Sequence, residues 1–353
     1  MSRIKELDYL RGMAATAIML YHYFKWLYIY EGANSILGRM SVYGVEIFYI
    51  LSGTTLFCAY HETINFDKKS LLIYFSKRCF RIFPLFWLSI FIALVIGLKQ
   101  TNFSILFLNV SGLFSVFAWE KYIAPGTWSI GNELVFYLIF PFFLLIYRKK
   151  KIMYFILLVL ILLIFNHFAF HVFNPNDSLH NQWKNFVNPL NHLFLFLVGM
   201  TIPIIIKNKS ASPIVPSIFI CTGVIILFAS PSDKDGIHLL YGINRWIFSV
   251  ATILICVGFY TLDLNLPEKM NKPFQRLGEI SYSIYLLHPF VYQILCNLIR
   301  KLILLGVSIP PSNYLLIGIS VFLTFVISNL VYQNYEAFLI KKGKKWLSSF
   351  YKS

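Results

Sequence analysis

The chain has 353 residues, of which 58% are hydrophobic and 13% charged, and its mean hydropathy is +0.67. A soluble domain carries about twice that charged fraction, so a soluble globular protein is excluded and the apolar runs leave no room for a separate soluble domain. The net charge of +16 does not call for a nucleic-acid partner, because Lys and Arg cluster in short links between apolar runs, the pattern that orients membrane proteins.

The first apolar run, Leu10 to Leu27, carries Arg11 and His22. Charge inside a bilayer is costly and usually functional. Eleven residues are close to three helical turns, so the two side chains differ by only about 20° in azimuth. They stand roughly 16 Å apart along the axis, about half of a ~30 Å hydrocarbon core. This stripe is expected to form the wall of a reaction cavity, with a permanent cation near one surface and a titratable imidazole near the middle. Glu6 and Asp8 precede the run, which therefore reads as a retained span and not a cleaved signal.

Ten spans are predicted, near 8–30, 40–61, 82–98, 127–147, 152–172, 190–206, 213–231, 243–262, 278–299 and 312–340. The segment 62–81 reads as a basic link, and the broken apolar stretch 99–126 as re-entrant or interfacial. With a cytoplasmic N-terminus, 22 of the 31 Lys and Arg residues fall on the cytoplasmic side, including Arg3, Lys209 and Lys352. That excess favours this orientation, and an even number of spans returns the C-terminus to the same side. The five cysteines are odd in number, lie in or beside apolar runs, and read as small buried hydrophobes. No internal repeat stands out, which argues against an inverted-repeat transporter.

The chemistry-bearing positions are few. By position alone His22 reads equally as a satisfied core histidine; Arg11 on the same stripe moves the reading toward a general base. Arg78 and Arg81, at i and i+3, offer two guanidinium forks on one helix face, suited to a phosphate, although basic links also serve topology alone. Glu133 and Glu46 are carboxylates in apolar sequence, each needing a partner, a proton or water. Whether they converge with His22 is not decided by the sequence. His288, with Ser281, Ser283 and Tyr285, lies in the ninth span, where small and hydroxylated residues suit close helix packing. His167 and His171 have i, i+4 spacing without a third ligand, and no metal is expected.

Taken together, five stretches resemble the membrane-bound acyltransferase-3 family of sugar O-acyltransferases. An Arg-x10-His pattern falls on Arg11 and His22, and a G-V-E…L-S-G segment on Gly44, Val45, Glu46, Leu51, Ser52 and Gly53. An R-x-x-R-I-x-P element falls on Arg78, Arg81, Ile82 and Pro84. A W-S-x3-E-x2-F-Y-x2-F-P element falls on Trp128, Ser129, Glu133, Phe136, Tyr137, Phe140 and Pro141. An S-Y-x-x-Y-L-x-H-P element falls on Ser281, Tyr282, Tyr285, Leu286, His288 and Pro289. Their order along the whole chain makes the signal specific. The resemblance is to the standalone form, expected to lack the C-terminal extracytoplasmic hydrolase-like domain of some relatives, so transfer is expected to finish within the membrane domain or pass to another protein.

The resemblance implies an all-α polytopic integral membrane protein, residues 1–353 as one transmembrane acyltransferase domain, with about ten helices around a central cavity in the bacterial cytoplasmic membrane. It implies cytoplasmic acyl-CoA, commonly acetyl-CoA, as donor, and a surface-polysaccharide or lipid-linked glycan as acceptor. The donor phosphates are expected on Arg78, Arg81 and Arg11. His22 is expected to deprotonate the acceptor hydroxyl, Glu133 to orient or charge-balance the imidazole, and Arg11 to stabilise negative charge or steer the donor. Glu46, Ser52, Trp128, Ser129, Tyr137, Tyr285 and His288 are expected to support the site. The rival reading is a transporter or flippase for lipid-linked sugars, which hydropathy and intramembrane charge fit equally well.

Overall fold

The structure, a computed structural model, describes residues 4–27, 29, 32–207, 212–264, 266–306 and 312–351; Arg3, Lys209 and Lys352, counted above for orientation, lie outside the described residues. Among the described residues the regular structure is helical, with no strand. The helices are α1 (Lys5–Trp26), α2 (Ile36–Tyr60), α3 (Lys68–Val95), α4 (Phe103–Ser111), α5 (Phe114–Phe117), α6 (Thr127–Lys149) and α7 (Lys151–His167). They continue as α8 (Trp183–Phe186), α9 (Pro189–Ile205), α10 (Ile214–Ala229), α11 (Gly242–Thr261), α12 (Glu268–Glu279), α13 (Ser281–Leu304), α14 (Asn313–Val331) and α15 (Ala337–Tyr351). A π-helical turn, Phe168–Val172, extends α7, and another, Tyr332–Glu336, joins α14 to α15.

Eight helical runs among the described residues are long and apolar enough to cross a membrane, with α8–α9 and α14–α15 each counted as one run. The two remaining expected spans are α1, whose 22 residues carry five charges, and α10, an apolar helix of 16 residues. The chain is therefore an all-α polytopic membrane protein. α2 is the central helix, with 78% of its apolar window buried, whereas α7 and α14 bury only 22% of theirs and turn apolar faces outward to lipid.

Two boundaries differ from the sequence-based expectation: the last helix continues past 340 to Tyr351, and α3 begins early. Residues 68–81, read as part of a basic link, are the first turns of α3. Asp67 caps that helix, accepting from the Ser70 amide at 2.6 Å, and hydrogen bonding by Ser70 holds its carboxyl below the usual range. Twenty-eight residues make a helix of about 42 Å, longer than a ~30 Å hydrocarbon core, so its basic start stands beyond the apolar layer without breaking the helix. The stretch 99–126, expected to be broken, holds the short helices α4 and α5.

Close packing rests on small residues. A Cβ at Gly53 of α2 would run into the α9 backbone at Phe196, and one at Gly199 of α9 into the carbonyl of Ile50. α10 and α11 meet in the same way at Gly223 and Gly258, and α1 meets α12 through Gly12 and Gly278. Prolines inside the spans leave carbonyls without their helical donor, and neighbouring helices fill the gaps. Pro141 leaves the carbonyl of Tyr137, to which Tyr74 donates at 2.9 Å. Pro203 leaves that of Gly199, to which Thr54 donates at 2.9 Å.

Candidate functional site

A cavity of about 570 Å³ opens between the start of α1 and α15, at Ile4 and Lys344, and extends to Phe48, Ser129 and Tyr285. It brings together Arg11 of α1, Ser52 of α2, Arg78 and Arg81 of α3, Ser129, Glu133 and Tyr137 of α6, and Tyr285 of α13. These residues are far apart in sequence and converge because α1, α2, α3, α6 and α13 all face this space. The resulting chamber is amphipathic: basic at its mouth, hydroxyl- and carboxylate-lined deeper in.

The four cations of its lining are held differently. Arg11 donates to Thr55 Oγ1 at 2.9 Å and to the Leu51 carbonyl at 3.3 Å, and lies 3.4 Å from Asp8. Arg81 stands 3.7 Å from Glu336, which is buried in the π-helical turn and also accepts a hydrogen bond from Ser283. Arg78 has no carboxylate partner among the described residues; its guanidinium lies over the rings of Tyr60 and Tyr137 at 5.6 and 5.9 Å and donates to the Tyr60 hydroxyl. Lys344 likewise has none, and is exposed at the mouth.

Glu133 is held by Ser52, whose hydroxyl donates to Oε1 at 2.6 Å, and Tyr137 in turn reaches Ser52 at 3.4 Å. Glu133 was expected to orient the His22 ring. The structure instead pairs that ring with His288, Nδ1 of His22 and Nε2 of His288 lying 3.0 Å apart. His288 Nδ1 is 3.0 Å from the Ile284 carbonyl, an acceptor only, so that nitrogen carries the proton in the neutral ring. His288 Nε2 is then the acceptor, His22 Nδ1 the donor, and His22 Nε2 the free lone pair. Trp26 stacks on both rings, at 5.1 Å from His22 and 6.0 Å from His288.

His22 and His288 are not part of the cavity lining. The expected common wall of Arg11 and His22 is interrupted because the residues between them on the same stripe, Ala15 and Ile18, are buried against neighbouring helices. Phe48 and Tyr285 stand between the chamber and the histidine pair: their rings are 6.0 Å apart, and that of Tyr285 is 6.2 Å from His288. Tyr285 is held by Ser129, whose hydroxyl donates to the phenolic oxygen at 2.8 Å.

Glu46 joins neither group. It is fully buried, 3.2 Å from Arg245 of α11 and 3.8 Å from His192 of α9, with Ser249 at 3.5 Å. It does not converge with Glu133 and His22, because six residues along α2 turn it about 120° away from Ser52, toward α9 and α11. Trp128 also lies off the cavity, packed on Trp183, Phe186 and His192. Sequence reasoning missed Glu336, Arg245 and His192. Each is an ionisable residue inside an apolar run, the signal already applied to Glu46 and Glu133.

The acyltransferase-3 family model, described as an acyltransferase domain, matches residues 4–332. The protein named "Putative acetyltransferase ORF330" of Acidianus two-tailed virus is 29% identical over 295 residues, covering 81% of this chain and 82% of that protein. "Nodulation protein 10" of Rhizobium leguminosarum bv. viciae is 29% identical over 167 residues, 40% of this chain, and the match spans 44% of that relative's length. No solved structure matches the chain.

Proposed function

The chain belongs to the acyltransferase-3 family and is an acyl-transferring membrane enzyme, and from that premise we propose that it is an O-acyltransferase, in the first instance an O-acetyltransferase, acting on a glycan. The donor is cytoplasmic acyl-CoA, commonly acetyl-CoA; the acceptor is a hydroxyl of a surface polysaccharide or lipid-linked sugar. The protein sits in the bacterial cytoplasmic membrane as one transmembrane domain with both termini cytoplasmic, as the distribution of Lys and Arg supports.

The observation that carries this reading is the 570 Å³ chamber with a basic mouth on the Lys-rich side and a histidine pair behind its inner end. A coenzyme A thioester has a matching shape: phosphates at one end and a thin pantetheine arm leading to the acyl group. The nucleotide end rests among the mouth cations, Arg11 steers the arm past Ser52 and Glu133, and the thioester reaches Tyr285. His22 Nε2 takes the proton of the acceptor hydroxyl, whose oxygen attacks the thioester carbonyl; the thiolate leaves and recovers the proton. Tyr285 and Phe48 form the partition that moves aside for this step. His288 is a positioning residue that fixes the tautomer of His22, the role that sequence reasoning assigned to Glu133.

Mass spectrometry of the host's surface polysaccharide with and without the gene tests the proposal. It predicts an ester of fixed mass on one sugar hydroxyl that disappears on deletion. Unchanged glycans in the deletion contradict it.

A further inference from the structure

The chamber's charge pattern separates cations that face a carboxylate from those that do not. Arg11 is held by Asp8 and Thr55, and Arg81 faces buried Glu336. Arg78 and Lys344 have no carboxylate partner among the described residues, yet both line the chamber. Arg78 belongs to the R-x-x-R element. Lys344 does not: it lies on α15, in a basic stretch that serves equally as a topological anchor.

The placement of Lys344 is built into the fold. The run from Asn313 to Ser348 is helical throughout, 36 residues or about 54 Å, well beyond what a ~30 Å hydrocarbon core requires. Its last turns therefore emerge into the aqueous layer, alongside the basic start of α3. There Gly343 lies so close to Phe80 that a Cβ would strike the ring, and Trp346 packs on the same ring at 6.1 Å. Those contacts lock α15 to α3 and aim Lys344 into the chamber. Lys342, two residues away and so about 200° around the helix, lies instead over Phe338 of its own helix.

We infer that Lys344 is a phosphate-binding residue for the nucleotide end of the acyl-CoA donor, acting with Arg78 as the two cations of the mouth that face no carboxylate among the described residues. The inference rests on the acyl-CoA reading above. An ammonium at the outer rim supplies a point charge to a phosphate arriving from solution, while Arg78, seated between two tyrosine rings, takes the part that enters.

The test is binding of radiolabelled acetyl-CoA and of S-acetylpantetheine, which lacks the nucleotide, to the full-length protein in phosphatidylcholine nanodiscs. The wild type is expected to prefer acetyl-CoA. Lys344→Gln is expected to weaken acetyl-CoA binding about tenfold and leave S-acetylpantetheine unchanged. Lys344→Arg is expected to restore most of the loss, and Lys342→Gln to behave as wild type. A wild type that binds the two thioesters equally overturns the donor reading and this inference with it. A Lys344→Gln protein that keeps the full preference for acetyl-CoA overturns the inference alone. A loss in Lys344→Gln that appears only after phosphatidylglycerol is added assigns the lysine to lipid headgroups and also overturns it.

Discussion

A histidine serves as a base only through the nitrogen that lacks a proton, and in this protein a second histidine decides which one that is. The chain from the Ile284 carbonyl through His288 to His22 leaves Nε2 of His22 as the acceptor. His288→Phe keeps the ring volume but removes the acceptor. It is expected to lower kcat about 10²-fold with the donor KM unchanged, because the proposed donor site lies in the chamber, and His288→Gln, which can still accept, is expected to recover part of the loss. Steady-state kinetics in nanodiscs separates this from a packing defect, which would lower the yield of folded protein instead. The two arginines of the R-x-x-R element should also part company. Arg78→Gln is expected to raise the donor KM about tenfold, since its guanidinium has no competing carboxylate. Arg81→Gln is expected to act chiefly on stability, measured by thermal unfolding in detergent, because it leaves Glu336 buried without its counter-charge.

Among elements, the prolines explain why hydroxyl groups sit where they do. Tyr74 falls in the stretch that reads in sequence as a basic link, yet its phenol donates to the carbonyl that Pro141 leaves open on α6. Tyr74→Phe is expected to cost about 0.5–1.5 kcal/mol, read as a lowered midpoint of thermal unfolding, with the fold retained. A midpoint equal to that of the wild type would mean that another group or water satisfies the carbonyl. The eight runs long and apolar enough to cross, of the ten spans expected, were legible from apolar run length, since hydrophobic thickness constrains a membrane helix more tightly than propensity does. The start of α3 was not, because charge at residues 68–81 is indistinguishable from a loop once a helix outgrows the bilayer. The partnership of Tyr74 with Pro141 was not legible either, since it joins residues 67 positions apart.

Over the whole molecule, two polar assemblies share one bundle and do different work. The site residues along the chamber were legible as motifs, but their pairings were not: sequence reasoning placed Glu133 behind His22 and left open a convergence with Glu46. Glu46 instead ties α2 to α9 and α11 through His192 and Arg245 in a fully buried cluster. Glu46→Gln or Arg245→Met alone is expected to destabilise the protein by about 3–5 kcal/mol, because each strands the opposite charge. The double substitution is expected to cost much less, and a double-mutant cycle of thermal midpoints in detergent checks the difference.

The central claim is that an acyl group passes from acyl-CoA to a glycan with His22 as the base. Its most direct measurement is the appearance of label from radiolabelled acetyl-CoA in the glycan fraction of membranes bearing the wild type or His22→Ala, with the amount of membrane-inserted protein measured in parallel. The account predicts labelled glycan with the wild type and none above background with His22→Ala at equal protein. Equal labelling by both proteins would contradict it.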